Sequence, residues 1–395
     1  MYKKINNGLD QHQTQNVQKL QEQAMIEVMM RGMIGLGLAN GAAATAMPED
    51  VIEIYGFDFA LIGDPGNRDT NEFEVPLGPE ERIGGVDYVY RIAVTEVTVA
   101  QHLEFVEAYY PFYVIRTGSE LGSAQFSGRA IRVAFGQIHI LPGHHPDEPT
   151  VMSWEYAARY INWLHNGKII EDWAFETGVY DTSTFVQDDD GNWLHQESHL
   201  PGARFWMPTA DEWIKAAYWD PQKNNGEGGY WRYQNGSDTE PRPGFPSEGG
   251  ERNAGVDNND GFPLPVGSYP TVMSPWGVLD MAGGQSELFE TIPDSGNRYR
   301  RGTGGSDFNY WHYDDIFSPD IIGYYVNTSA FVPNGLRLAS TCYAPADLNK
   351  DGHVDFFDVS VFIRGFIAND LVNADLDASG LLDLTDIQIF IALFG

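Results

Sequence analysis

A single cysteine, Cys342, stands among 395 residues. No intrachain disulfide can form, and there is no Cys-x-x-Cys metal or redox site. Basic residues are scarce as well: 24 Lys and Arg face 56 Asp and Glu, a formal net charge of -32. Phosphate-rich surfaces are repelled by such a chain rather than neutralised. Nucleic acid and anionic membranes are thereby excluded as partners, and cations are favoured as ligands, calcium above all where carboxylates cluster. No apolar run reaches the length of about 18 residues that a spanning helix needs, so no transmembrane segment is expected. Nucleophile elbow, P-loop and dinucleotide-binding glycine fingerprints are also missing.

What is present begins with core material. Apolar residues make up 42% and aromatics 13% of the chain, which rules out global disorder. Residues 1–24 are polar and rich in Gln. Residues 25–46 then place Arg31 ahead of a small-residue apolar run that closes on Ala-Thr-Ala. That is the shape of a secretory signal cleaved after Ala46, so a secreted or cell-surface location is expected.

From 47 to 343 the composition turns to Gly, Pro and aromatics, and all ten Trp lie between Trp154 and Trp311. Helical patterns are few: Thr98–Tyr110 and Ser153–His165, which open on a Thr or Ser suited to capping, and Thr209–Tyr218, where Thr209 precedes Asp211 and Glu212 and the acidic first turn suits the helix dipole. Long loops separate them, at 224–250 and 257–265. Few helices, short strands and many aromatics predict an irregular α+β domain. Two further clusters carry metal-ligating residue types. His195 and His199 flank Gln-Glu-Ser next to Pro201, and His144-His145 precede Asp147 and Glu148. Both read more readily as polar loops than as metal sites.

An Ala-Pro-Ala break at 344–346 opens a third segment, 344–395, that carries a repeat. Asp347, Asn349, Asp351, Asp355 and Asp358 hold positions 1, 3, 5, 9 and 12 of a loop, with Gly352 at position 6 and the carbonyl of His353 at position 7. Calcium needs six to eight oxygens around one point, and the Gly permits the sharp turn. A second copy starts at Asp375, with Asp377, Ser379, the carbonyl of Leu381, Asp383 and Asp386 at the same offsets. Each loop leads into an apolar helical stretch, 359–368 and 387–394, so a small all-α module with paired calcium loops is expected. Position 12 is Asp in both copies, and no helix precedes either loop.

That pattern resembles the dockerin type I repeat, a paired F-hand module of secreted proteins. The resemblance implies calcium-dependent folding and docking onto a cohesin-like partner. The central segment carries a different set of strings. They are 91–98 (Arg-Ile-Ala-Val-Thr-Glu-Val-Thr), 148–154 with Asn162-Trp163-Leu164, 207–213 (Met-Pro-Thr-Ala-Asp-Glu-Trp), 265–270, 276–283, Gly304-Gly-Ser306 and Gly335-Leu-Arg-Leu-Ala339. In this order they resemble the formylglycine-generating enzyme (sulfatase-modifying factor) family. The resemblance implies a C-type-lectin-like fold over residues 80–340. It also implies a calcium site at Asn253, Asp260 and the carbonyl of Phe262.

The family's oxidases hold copper with a cysteine pair between the last two blocks. Residues 307–334 contain no cysteine here, and thiolate is the group that binds Cu(I). The expectation is therefore an exported, non-catalytic binding or assembly protein with no catalytic residues. It would recognise a glycan or an extracellular protein and be tethered through its tail. The alternatives are a divergent metal-dependent enzyme and a calcium-dependent surface or filament subunit able to self-assemble.

Overall fold

The computed structural model describes residues 51–74, 82–187, 198–253, 264–291, 300–304, 322–326, 334–341, 356–368 and 382–394, with single positions 189, 193, 194, 196, 348, 370, 374 and 376 besides. The expected signal at 25–46 lies outside them.

The chain enters through a tight hairpin. Val51–Ile54 pairs with Phe57–Ile62, and the connecting Tyr55 and Gly56 both take positive φ, 55° and 78°. Two left-handed residues give the turn the twist that antiparallel strands require. In Phe57–Ile62, Phe57 and Phe59 are buried and Asp58 faces out, while Ala60 and Ile62 on the face of Asp58 are buried as well, so the strand is covered on both faces beyond its start. Tyr90–Ala93 joins this strand, Ala339–Thr341 pairs on its far side, and Phe205–Trp206 closes the five-stranded antiparallel sheet. The last strand of the central region is therefore interior to the sheet, and it draws 334–341 across the middle of the domain.

Among the described residues of the central domain, the three longest helices cover the core. Thr98 caps Val99–Thr117 through a capping box with Gln101, and Thr209 caps Ala210–Tyr218 in the same way with Glu212. The first runs beyond the expected end at Tyr110 and carries Pro111 inside it. Packing outweighs the lost backbone donor there: Tyr113, past the proline, stacks on Phe126 with centroids 4.3 Å apart. Trp154–His165 starts at Ser153, whose hydroxyl makes no cap bond. Its Asn162 is fully buried and fully used. The amide nitrogen donates to the carbonyls of Phe175 and Tyr180, and its oxygen accepts from the backbone N–H groups of Val179 and Tyr180. One side chain thus pins the following loop to the helix.

A three-stranded antiparallel sheet, Glu287–Leu288, Arg300–Gly304 and Ile322–Val326, lies beside this core. In the tail, helices Phe356–Ala368 and Leu384–Phe394 share a small separate core in which Phe362 stacks flat on Phe390, 4.4 Å and 4° apart. Both start earlier than the expected 359 and 387. The Asp383 carboxylate accepts from the Thr385 N–H and starts the second of them. The architecture is mixed, helices packed on antiparallel strands. Among the described residues no helix is long and apolar enough to cross a membrane.

Candidate functional site

A buried charged cluster is assembled by three segments far apart in the chain. Glu96 ends the turn before the first helix, Glu287 lies on a short strand, and Arg337 comes from the 334–341 segment; each is at most 1% exposed. The Arg337 guanidinium sits on Glu287, with Nε 2.9 Å from both carboxylate oxygens and Nη2 2.6 Å from Oε1. Nη1 donates to the Ala93 and Val94 carbonyls at 2.9 Å. Trp213 Nε1 donates to Glu287 Oε2 at 2.5 Å. A charge pair this deep is tolerable only when every polar atom is satisfied, and here sheet, helix and strand all contribute.

Glu96 is different. Its Oε1 accepts from Gln285 N at 2.7 Å, while Oε2 is buried with no hydrogen-bond partner. Burial pushes this carboxyl well above the ordinary carboxylate range, and the negative charge of Glu287 adds to the effect. Asp280 is also raised by burial, although it accepts from Gly267 N at 2.5 Å. Gly284 makes the close approach to Glu96 possible: its φ is +61°, and a Cβ there would lie 2.6 Å from Glu96 Oε1.

Asn253, a sequence-derived calcium ligand, borders this region; its Oδ1 accepts from Gly284 N at 3.1 Å. Asp260 and Phe262 lie outside the described residues. Among the described residues, no group of three or more His, Cys, Asp and Glu side chains is placed to hold a metal ion.

A second polar centre involves His199. Its Nδ1 is 2.8 Å from Glu290 Oε1, its N–H donates to Glu290 Oε2, and the ring stacks on Trp206 at 4.7 Å. Tyr180 donates to Glu290 Oε2 at 2.9 Å and accepts from Met207 N. Trp206 Nε1 in turn donates to Glu212, the capping residue. His199 is thus fastened to a buried carboxylate, while His195 lies outside the described residues. His144 and His145 form a turn around the buried Glu148, which accepts from His145 N at 3.0 Å and lies 2.8 Å from His144 Nδ1.

In the tail, Asp358 and Asp386 occupy position 12 of the two repeats, and both are fully buried at the start of their helices. Asp386 Oδ1 accepts from Leu376 N at 2.6 Å and Oδ2 from Asp383 N at 2.8 Å, which draws the two ends of the second repeat together. Asp347, Asn349, Asp351, His353, Asp355, Asp375, Asp377, Ser379 and Leu381 lie outside the described residues.

Sequence reasoning passed over Glu96, Glu287, Glu290 and Arg337 as functional residues. The signals were an arginine inside the apolar run Leu336–Ala339 and a glutamate two residues before a helix cap. A charged residue in an apolar stretch is either exposed or paired, and the pattern alone does not name its partner.

A family model described as "Sulfatase-modifying factor enzyme 1-like domain" matches residues 42–319. No curated protein matches the chain. Among solved structures, CarF is similar at a TM-score of 0.42 and 16% identity, covering 72% of this chain and 98% of that one. PvdO from Pseudomonas aeruginosa is similar at 0.40 and 14%, covering 75% of this chain and 100% of that one. Treponema denticola variable protein 1 is similar at 0.41 and 14%, with shares of 75% and 100%.

Proposed function

The chain belongs to the sulfatase-modifying factor enzyme 1-like domain family, and on that premise we propose that it is an exported, non-catalytic binding and assembly protein. The central domain presents its loop surface to a glycan or an extracellular protein, and the tail binds calcium and docks onto a cohesin-like partner.

The observation that carries this reading is the repeat. Asp358 and Asp386 stand at equivalent offsets, each fully buried at the start of an apolar helix. A carboxylate is buried at such a position at a cost that ligation or several N–H donors must offset. The aromatic stack of Phe362 on Phe390 relates the two helices as a pair. On the central domain, the missing cysteines at 307–334 favour recognition over copper oxidation. Aromatic side chains supply the stacking faces that sugar rings and protein interfaces use.

The test is a glycan array probed with the full chain in calcium and in chelator. A saturable hit on one glycan class supports recognition of a sugar by the central domain. A blank array, with a calcium-dependent protein captured by the tail, supports the assembly half alone. Turnover of a cysteine-containing sulfatase peptide would overturn the non-catalytic reading.

A further inference from the structure

We propose that the central domain associates head to tail with further copies of this chain, the hairpin that carries Arg132 in one copy lying against the hairpin that carries Asp58 in the next. The tail and its calcium reading play no part in this contact.

Between 111 and 143 the charge balance reverses: three Arg stand against one Glu, in a chain whose balance is 24 to 56. Within that stretch Ile131–Ala134 pairs with Gln137–Ile140, and Arg132 stands opposite His139 across the strands. Both are exposed, as is Arg129. Arg116 is held by Asp172 and Glu176, whereas Arg129 and Arg132 have no acidic partner among the described residues.

The tip of this hairpin is Phe135-Gly136, both at positive φ, 51° and 75°. Such a turn suits Asn-Gly, and an aromatic at its first position is strained. The Phe135 ring is 72% exposed and recovers little of that cost inside the chain. The tip is nevertheless fixed. The Phe135 N–H donates to the Glu120 carbonyl at 3.0 Å, and the Gly136 N–H to the Tyr110 hydroxyl at 2.9 Å. A rigid, exposed aromatic beside uncompensated guanidinium groups is what an interface anchor requires.

The complementary face is the first hairpin. Glu53 and Asp58 stand directly opposite each other on its two strands, and both are exposed. Like charges in that register repel, and no cation among the described residues pairs with either. Asp58 titrates above the ordinary carboxylate range, through partial burial first and the charge of Glu53 second. Val51–Ile54 is the edge strand of its sheet, and its Val51, Ile52 and Ile54 are half-buried, which gives the Phe135 ring apolar surface to meet.

The two hairpins are anchored on one helix. Gln101 Nε2 donates to the Gly56 carbonyl at 2.9 Å, as Tyr110 holds Gly136. Nine residues separate Gln101 from Tyr110, which sets them on opposite sides of the helix and about 14 Å apart along its axis. One chain therefore does not close the pair on itself, and a contact between unlike faces repeats from copy to copy. The net charge of -32 opposes association, so the contact is confined to the faces where the sign reverses.

The experiment is sedimentation velocity of the full chain in chelator over a range of concentrations, which keeps calcium at the tail out of the result. The native chain is expected to associate with rising concentration. Arg132→Glu and Asp58→Arg should each weaken association roughly tenfold or more. Mixing the two variants should restore it, because the acidic face of the first then meets the basic face of the second. Phe135→Asn separates docking from folding: Asn suits the left-handed turn, so thermal stability should rise while association weakens. A native chain that stays monomeric overturns the inference, and so does a mixture of the two charge variants that stays monomeric. Association that survives Arg132→Glu, or that needs calcium, belongs to another surface and overturns it too.

Discussion

Arg337 and Glu287 form an ion pair in which neither side chain is more than 2% exposed, closed by contacts of 2.6 and 2.9 Å. The pair ties the strand at 287–288 to the 334–341 segment, and through the Ala93 and Val94 carbonyls to the central sheet. Removing one partner leaves the other charged in a dry interior. Arg337→Met should therefore cost about 3–5 kcal/mol in urea unfolding. Arg337→Met with Glu287→Leu should recover a large part of that loss. A double variant no more stable than the single one would show that the burden is packing, not charge.

Gly284 sets the approach of Glu96. Gly284→Ala adds a Cβ against the Glu96 carboxylate at a left-handed φ, and a loss of about 1–3 kcal/mol is expected from strain at that position. Adding Glu96→Ala should relieve the clash but not the backbone strain, so recovery should be partial. Full recovery, or none, contradicts this division.

His102 is buried between Thr150 Oγ1 at 2.6 Å and the Phe126 carbonyl at 3.0 Å, and burial pushes its pKa down to about 4. The unfolded chain takes up a proton near pH 6.5, whereas the folded chain resists until about 4. Stability is full above 6.5 and falls as pH drops through that window, by about 3 kcal/mol in all. Thermal unfolding of His102→Gln should lack that share of the acid slope, whatever its absolute stability.

His199 has the opposite sign. Burial works against its charge, but the hydrogen bond to Glu290 and that carboxylate's charge outweigh it and raise the pKa. Glu212 adds in the same direction. The ion pair stabilises fully below the ordinary histidine value near 6.5 and is lost as pH rises through the raised one. The protection factor of the Leu200 amide, whose N–H bonds the Val179 carbonyl, should fall as pH rises through that interval in the native chain. In His199→Gln the protection factor should stay flat.

Several of these relationships were readable in advance and others were not, for reasons of range. Thr98 announces a helix start because a cap acts over three residues, and the acidic turn of Asp211 and Glu212 announces another; Thr98 and Thr209 both form capping boxes. The pattern stops the first helix at Tyr110, ahead of Pro111, whereas the gain that carries it onward is the stack of Tyr113 on Phe126, which no local pattern reveals. The paired tail helices were visible from the repeat of Asp and apolar residues. Their early starts follow from side-chain bonds such as Asp383 to Thr385, where a residue expected to ligate calcium acts as a cap. Arg337 was visible as a residue inside a recognisable string. Its partners at 93, 94 and 287 depend on strand order, a long-range choice that composition does not encode. Trp206 and His199 became neighbours of Glu290 by the same kind of closure.

Calcium in the tail is the central claim, and isothermal titration of calcium into the full chain tests it most directly, comparing the native sequence with Asp347→Ala/Asp375→Ala. The account predicts uptake of one ion by each repeat, lost in the double variant together with the far-ultraviolet signal of the two tail helices. Equal uptake by both proteins, or none by either, would contradict it.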